Sequence, residues 1–292
     1  MSATVVTFPQ GAVTGEGTVV RVEKDAAGTV VILDQTPFHP VDHTWPDQPG
    51  DAGVLRPIDP VDGASVSVTE AVMAAVDAEG ALSVGADIPA KRGSDGWTWL
   101  VAHRIDGDAP AWLTPGARVV AEVDAARRAG LSRGHTACHL ASLALDLALA
   151  DLWRKDPGGD ALGTPDFEGR ANQTSRIHED GAVDEYRLGK SLRRAGFDSE
   201  GFAASLAGRQ DRINELLAAW TATGGAVEVA VDGPTIVDRR RWECAVPEGR
   251  ASIPCGGTHA ASLSEFASIS VALDLSDPQL LVMTTRVVSA AV

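Results

Sequence analysis

Two short stretches carry the residues best suited to chemistry: Arg133-Gly134-His135-Thr136-Ala137-Cys138-His139 and Pro254-Cys255-Gly256-Gly257-Thr258-His259. His135 and His139 are four residues apart, so on a helix they project from one face, one turn above the other, and can chelate a single ion. Cys255 and His259 share that spacing, but Gly256-Gly257 disfavours a helix and predicts a tight loop where the backbone passes close to a neighbour. Three imidazoles and a thiolate form a donor set suited to zinc. Either pair alone is weak evidence, because an isolated His-x-x-x-His on a helix is commonly packing or solvated surface. Together the pairs predict a Zn2+ site made of His135, His139, Cys255 and His259.

These residues need a scaffold. Leu140, Leu143, Leu147 and Trp153 recur at helical spacing until Asp156-Pro157-Gly158-Gly159, which predicts a helix of about two dozen residues packed on a sheet. His135 is placed in the first turn of this helix, where the positive end of the dipole favours the neutral imidazole that binds metal. Cys138 falls on another face and reads as a small core residue. Upstream, Thr18–Val22 and Thr29–Leu33 form a predicted hairpin around Gly28. Further short strands are expected at Ala64–Val68, Trp97–His103 and Arg118–Val123, which together suggest a small barrel or a sandwich. Between them runs the polar, proline-rich segment from His39 to Pro49, a stiff shaped loop in which turn structure and pocket lining are expected of His39 and His43, with a second metal site as the alternative. Residues 156 to 181 read as a long loop, and Val183–Trp220 as two helices broken near Gly196. Val227–Val231, Ser268–Leu273 and Leu281–Thr285 read as strands, giving an α+β second part. The expected division is 1–125 and 126–292.

Composition narrows the function classes. A chain of 292 residues, 44% hydrophobic, can bury a sizeable core and divide in two. Three cysteines without a paired pattern argue for a reducing compartment. With no basic start before an apolar core, and no apolar run long enough to span a bilayer, a cytoplasmic protein without a membrane partner is expected. The formal net charge of −15 repels polyanions as a whole. RNA contact must then use local clusters and weaken steeply with salt. Arg187, Lys190, Arg193 and Arg194 form one such cluster, and Arg239, Arg240 and Arg241 another; a solvated face explains each as well as an RNA contact does. No DNA partner is expected, and no feature specifies an oligomeric state.

The same residues carry a family resemblance. Gly-His-Thr-Ala-x-His followed by leucines, with Cys255-Gly256-Gly257-Thr258-His259 far downstream, resembles the editing domain of alanyl-tRNA synthetases and the stand-alone alanyl-tRNA editing proteins, within the threonyl/alanyl-tRNA synthetase second additional domain family. Thr36-Pro37-Phe38-His39-Pro40 and Gln48-Pro49-Gly50-Asp51-Ala52-Gly53-Val54-Leu55 resemble the family's Thr-x-Phe-Tyr-Pro and Gly-Gly-Gln-Pro-x-Asp-x-Gly-x-Leu segment. Asp124 with Arg127-Arg128 resembles the Asp and Arg residues that precede its first zinc motif. The likeness runs from about residue 15 to the C-terminus. It breaks before Gln48, where the family's glycines give way to a longer run containing Asp42, His43, Trp45 and Asp47.

The resemblance implies an N-terminal small β-barrel followed by an α+β zinc-containing editing domain. It also implies an aminoacyl-tRNA hydrolase that removes a wrong amino acid, serine or glycine, from the 3′ end of alanine tRNA. Such an ester is already activated, so the protein mainly places the carbonyl, supplies a water and steadies the oxyanion. Gln48 is the candidate for hydrogen bonding the substrate or its water, and Thr136 and Thr258 are candidate pocket hydroxyls. Four protein ligands suit a closed structural site, whereas catalytic zinc keeps a position open. Two other classes fit the same residues: a zinc hydrolase of a small ester or amide, and a non-catalytic, zinc-stabilised tRNA-binding protein. A full synthetase is not expected from a chain of this length without a nucleotide-binding glycine motif.

Overall fold

The structure, a computed structural model, describes residues 1–25, 27–59 and 64–291. It is mixed α+β, mostly sheet with few helices, and divides into two compact units. The first comprises Met1–Arg128, Val231–Arg240 and Gly256–Thr258; the second comprises Ala129–Ala230, Arg241–Cys255 and His259–Val292.

The first unit contains β1 (Val5–Val6), β2 (Thr14–Asp25), β3 (Gly28–Leu33), β4 (Gln35–Thr36), β5 (Gly53–Pro57), β6 (Val66–Val76), β7 (Leu82–Val84), β8 (Thr98–Ile105) and β9 (Arg118–Val123). β1 and β4 pair in parallel, and the other strands form one sheet in the order β5-β9-β2-β3-β8-β6-β7. β5 also pairs with β6, so the sheet is ring-like. Strand alternation supplies two apolar faces. Val31 and Leu33 of β3, Met73 and Ala75 of β6, and Trp99 and Val101 of β8 enter one core cluster. Their neighbours Val30, Ile32, Ala74, Val76, Leu100 and Ala102 enter another.

The β2–β3 hairpin forms as the β-branched runs predict, with Val22 opposite Val31. The strand expected at Ala64–Val68 is the beginning of the much longer β6. Its second half, Ala71-Val72-Met73-Ala74-Ala75-Val76, is buried on both faces and therefore shows no alternation to read.

One polar chain crosses this sheet. The Phe38 amide donates to Thr36 Oγ1 at 3.1 Å, the Thr36 hydroxyl meets His103 Nε2 at 2.8 Å, and His103 Nδ1–H donates to the Val31 carbonyl at 3.0 Å. Both ring nitrogens are satisfied with the imidazole neutral. Burial holds its pKa down at about 4.

A second polar cluster fixes the loop before β5. Helix α1 (Ala125–Ala148) is capped by Asp124, whose carboxylate accepts from the amides of Ala126 and Arg127 at 3.1 and 3.0 Å. Arg127 donates to the Gly50 carbonyl at 2.8 Å. Arg128 makes a bidentate pair with Asp51 and also donates to the Pro37 carbonyl at 2.8 Å. Asp51 accepts from the His39 amide as well. The segment from Pro37 to Asp51 is thus held near both ends by a pair whose side chains are only 6% and 1% exposed.

The second unit holds most of α1, then α2 (Glu168–Ala171), β10 (Asn172–His178), β11 (Gly181–Arg187), α3 (Lys190–Ala195), α4 (Ser199–Thr221), β12 (Val227–Val231), β13 (Arg240–Val246), β14 (Gly249–Pro254), β15 (Phe266–Asp277) and β16 (Leu280–Ser289). Its sheets run β10-β11-β16-β15 and β12-β13-β14. Leu140 and Ala144 of α1, Leu217 and Trp220 of α4, and Leu281 and Met283 of β16 share one core. The outer strand β15 is covered by α4: Asn214 bonds both backbone groups of Val271 at 2.7 and 3.1 Å, and Gln210 accepts from the Leu273 amide at 2.8 Å. Those bonds use backbone groups that would otherwise invite another strand.

Three expectations change here. α1 begins at Ala125, because Asp124 supplies a cap and Ala125-Ala126-Arg127-Arg128 favours helix, so His135 lies in mid-helix and not in the first turn. Trp153 lies beyond its end. Residues 156 to 181 are not one long loop but include α2 and β10, and Val183–Arg187 is strand. Helix does break at Gly196, whose φ of 111° only glycine adopts readily. No helix among the described residues is long and apolar enough to cross a membrane.

Asp51→Ala leaves the Arg128 guanidinium buried without its carboxylate and should cost about 3–5 kcal/mol, read as a shift of the urea unfolding curve. His103 makes a pH prediction. Its folded pKa lies below the ordinary value of 6.5, so unfolded chains take up the proton first. Stability should fall by about 3 kcal/mol as pH drops from 6.5 towards 4, and His103→Gln should flatten that part of the profile.

Candidate metal centre

The site is built from α1 outward. Gly134 allows the helix to lie directly on the β10–β11 turn, since a Cβ there would overlap the carbonyl oxygens of His178 and Gly181. Arg133 reinforces the contact with two bonds to Asp180, at 2.6 and 3.0 Å. One turn apart on the adjoining part of the helix, His135 and His139 have ring centroids separated by 4.8 Å. β14 ends at Pro254 and delivers Cys255, whose Sγ stands 3.4 Å from His135 Nε2 and 3.3 Å from His259 Nε2. The His259 ring lies 4.5 and 5.2 Å from those of His135 and His139.

The four donor atoms all lie within 4.8 Å of one another, so the group could hold a metal ion. Tetrahedral bonds of about 2.0–2.3 Å put ligand atoms about 3.3–3.8 Å apart, close to the two sulfur–nitrogen separations seen here. The donors' protonation also fits. Burial lowers the pKa of His135 to about 4, and burial together with the neighbouring His135 lowers that of His139 well below its ordinary value. Both imidazoles are therefore neutral at pH 7 and offer a lone pair. His139 Nε2 is buried with no hydrogen-bond partner among the described residues, an atom that a metal would satisfy.

The surrounding groups orient the ligands. Thr136 Oγ1 lies 3.3 Å from His259 Nδ1 and accepts from the Ala260 amide at 3.1 Å, so it fixes the ring whose Nε2 faces Cys255. Thr136 is fully buried and acts within the protein as a joint. Trp242, also fully buried, packs its ring 5.0 Å from His139 and 6.2 Å from His259. Trp242 follows directly on the arginine run and carries no local mark of a place beside the histidines. The signal that would have found it is the alternation Trp242-Glu243-Cys244-Ala245-Val246, buried at every second position.

Cys138 belongs elsewhere, as its helical position predicts. Its Sγ lies 3.4 Å from Asp184 Oδ1, and it packs with Ile177 and Ala182. Two buried acids lie further along the same unit. Asp146 accepts from the amides of Phe167 and Glu168 at 3.0 and 2.9 Å, and burial pushes its pKa up to about 9. Burial and the nearby Asp184 push Glu168 up to about 8.

Gln48 and Thr258, both in the first unit, meet each other. Gln48 Nε2 donates to Thr258 Oγ1 at 2.8 Å, and the Thr258 amide donates back to Gln48 Oε1 at 3.0 Å. His39 packs edge-on against Phe8, while His43 stacks on Trp99 and bonds the Ala90 carbonyl; neither joins the metal group.

Arg187, Lys190, Arg193 and Arg194 are all exposed around α3. Arg239 and Arg241 are exposed too. Arg240 is not: it is buried over the Phe8 ring at 5.0 Å and donates to the carbonyls of Thr235 and Ile236, so its role is structural and it drops out of the basic cluster.

No protein-family model and no curated protein matches the chain.

Replacing His139 or Cys255 by Ala should lower divalent-metal affinity by more than about 100-fold in chelator competition, and Thr136→Val, which removes only the group beside His259, by about 10–100-fold. Full metal retention by either ligand variant would overturn the assignment.

Proposed function

We propose that the protein is a zinc-dependent trans-editing hydrolase that deacylates alanine tRNA mischarged with serine or glycine. The observation that supports this reading best is the group of four donors drawn from the two motifs on which the resemblance rests: His135 and His139 from one, Cys255 and His259 from the other. Three imidazole nitrogens and a cysteine sulfur suit zinc better than harder ions, which prefer oxygen. Zinc bound there would supply a Lewis acid that polarises an oxygen or holds the substrate in register.

The chain's own residues then have distinct tasks. Gln48 commits both ends of its amide to Thr258, so we assign it the positioning of Thr258 in place of direct contact with substrate. Thr136 steadies the ring of His259. We read the ring-like sheet as the family's small β-barrel. The exposed cations Arg187, Lys190, Arg193 and Arg194 meet tRNA phosphates, with Arg239 and Arg241 as further candidates. Against a net charge of −15 their grip is transient and salt-sensitive, which suits an enzyme that must release each tRNA after one ester bond is cut.

The test is deacylation of Ser-tRNA(Ala), Gly-tRNA(Ala) and Ala-tRNA(Ala), with metal content determined on the same sample. Loss of the serine or glycine ester about tenfold or more faster than the alanine ester is expected, with rates falling as salt rises. Metal-loaded protein that leaves all three intact yet binds tRNA would establish the non-catalytic binder. Salt-independent turnover of small esters or amides instead would establish the small-substrate hydrolase.

A further inference from the structure

The loop that departs from the family pattern is built around one carboxylate. Asp42 Oδ1 accepts from the Thr44 amide and hydroxyl, at 2.7 and 2.6 Å, and from the Trp45 amide at 3.2 Å. Its other oxygen pairs with Arg92 Nη1 at 3.0 Å. Desolvation of Asp42 is outweighed by these bonds, and its pKa lies below the ordinary value. His43, the next residue, docks on the Ala90 carbonyl and on the Trp99 ring, so the loop is also clamped from behind. The Asp47 amide closes a tight turn on the Trp45 carbonyl at 2.9 Å across Pro46.

This much fixing ends in two side chains presented to solvent. Trp45 is 47% exposed, and its ring makes no ring–ring contact among the described residues. The Arg92 side chain is 36% exposed and uses one nitrogen on Asp42. The same guanidinium lies against Gly256, where a Cβ would stand 3.3 Å from Nη1. A tryptophan whose backbone amide, and an arginine whose guanidinium, are both held by Asp42 match the two parts of a nucleotide: an aromatic base that stacks and a phosphate that pairs with Arg.

We propose that Trp45 and Arg92 form a binding platform for the 3′-terminal nucleotide of an RNA acceptor end, the base stacking on the indole and a phosphate meeting the guanidinium. The inference rests on the editing reading for its choice of ligand, but its residues lie outside the motifs that carry the resemblance. Asp42 is a positioning residue that holds both elements. The platform explains how a chain of strongly negative charge gains purchase on an RNA end: stacking is neutral and tolerates the unfavourable field.

The test uses the full metal-loaded chain and two probes, an uncharged RNA hairpin ending in single-stranded CCA and free AMP. Binding is measured for wild type, Trp45→Ala, Trp45→Phe and Arg92→Gln, with melting temperature and metal content as checks that each variant is folded. Trp45→Ala should weaken the hairpin about tenfold, Trp45→Phe should restore most of the loss, and removing the terminal A from the hairpin should abolish the difference. Arg92→Gln should lower the slope of log K against log salt by about 0.7, the share of one phosphate contact on a single strand. Folded variants that bind both probes within about twofold of wild type would overturn the platform while leaving editing, tested by deacylation, in place. Trp45-dependent binding of AMP without any binding of the hairpin would overturn the platform as a site for an RNA end and replace it with a site for a free mononucleotide. Binding of neither probe by wild type would overturn the platform.

Discussion

Imidazoles buried side by side need something to share. His135 and His139 are forced together by helical spacing, and His259 and Cys255 are brought against them, yet the protein supplies the buried His139 Nε2 with no hydrogen bond among the described residues. Leaving such an atom unsatisfied costs free energy, and an ion coordinated by all four donors removes the cost. Much of the second unit serves this meeting. Gly134 seats the helix on the β10–β11 turn, Trp242 fills the space beside two of the rings, and Thr136 ties the helix to Ala260. An ion held here would couple metal binding to the folding of this part of the chain.

The first unit solves a different problem, that of holding an irregular segment still. From Pro37 to Asp51 the chain makes little regular structure beyond a bridge from Val41 to Val72 of β6, and charged groups hold the rest in shape. Asp51 and Arg128 lock both ends, and Asp42 with Arg92 shapes the middle. Burying an ion pair is expensive and adds little stability over an apolar substitute, but it specifies one arrangement because a displaced partner is penalised heavily. Gln48 lies between these anchors and holds Thr258 with both ends of its amide. A loop so defined can present particular side chains to a ligand with little loss of entropy on binding.

What the sequence disclosed follows the range of the forces involved. Local patterns are legible: the β2–β3 hairpin, the long apolar helix, the break at Gly196 and each of the two donor pairs rest on spacing along the chain, whereas the meeting of the pairs is an expectation from donor chemistry and the resemblance. Residues whose roles come from distant partners are not. Arg240 looks like its neighbours in an Arg-Arg-Arg run, and only strand alternation with Phe8 beneath it turns it inward. His103 carries no local mark of the buried polar chain it completes. The start of α1 was misplaced because the apolar stripe begins late, whereas the helix is initiated by the Asp124 cap. β13 and β14 are not legible locally, because β13 opens on the charged end of an arginine run and its alternation starts only after it.

The buried carboxyls of Asp146 and Glu168 have a consequence for how the molecule behaves in bulk. With pKa values pushed to about 9 and 8, both keep their protons at neutral pH. The charge felt by solvent and counterions is then less negative than the formal −15, which counts them as anions. The protein should migrate more slowly towards the anode than its composition implies, and a titration carried above pH 8 should release protons from its interior before the lysines begin to discharge.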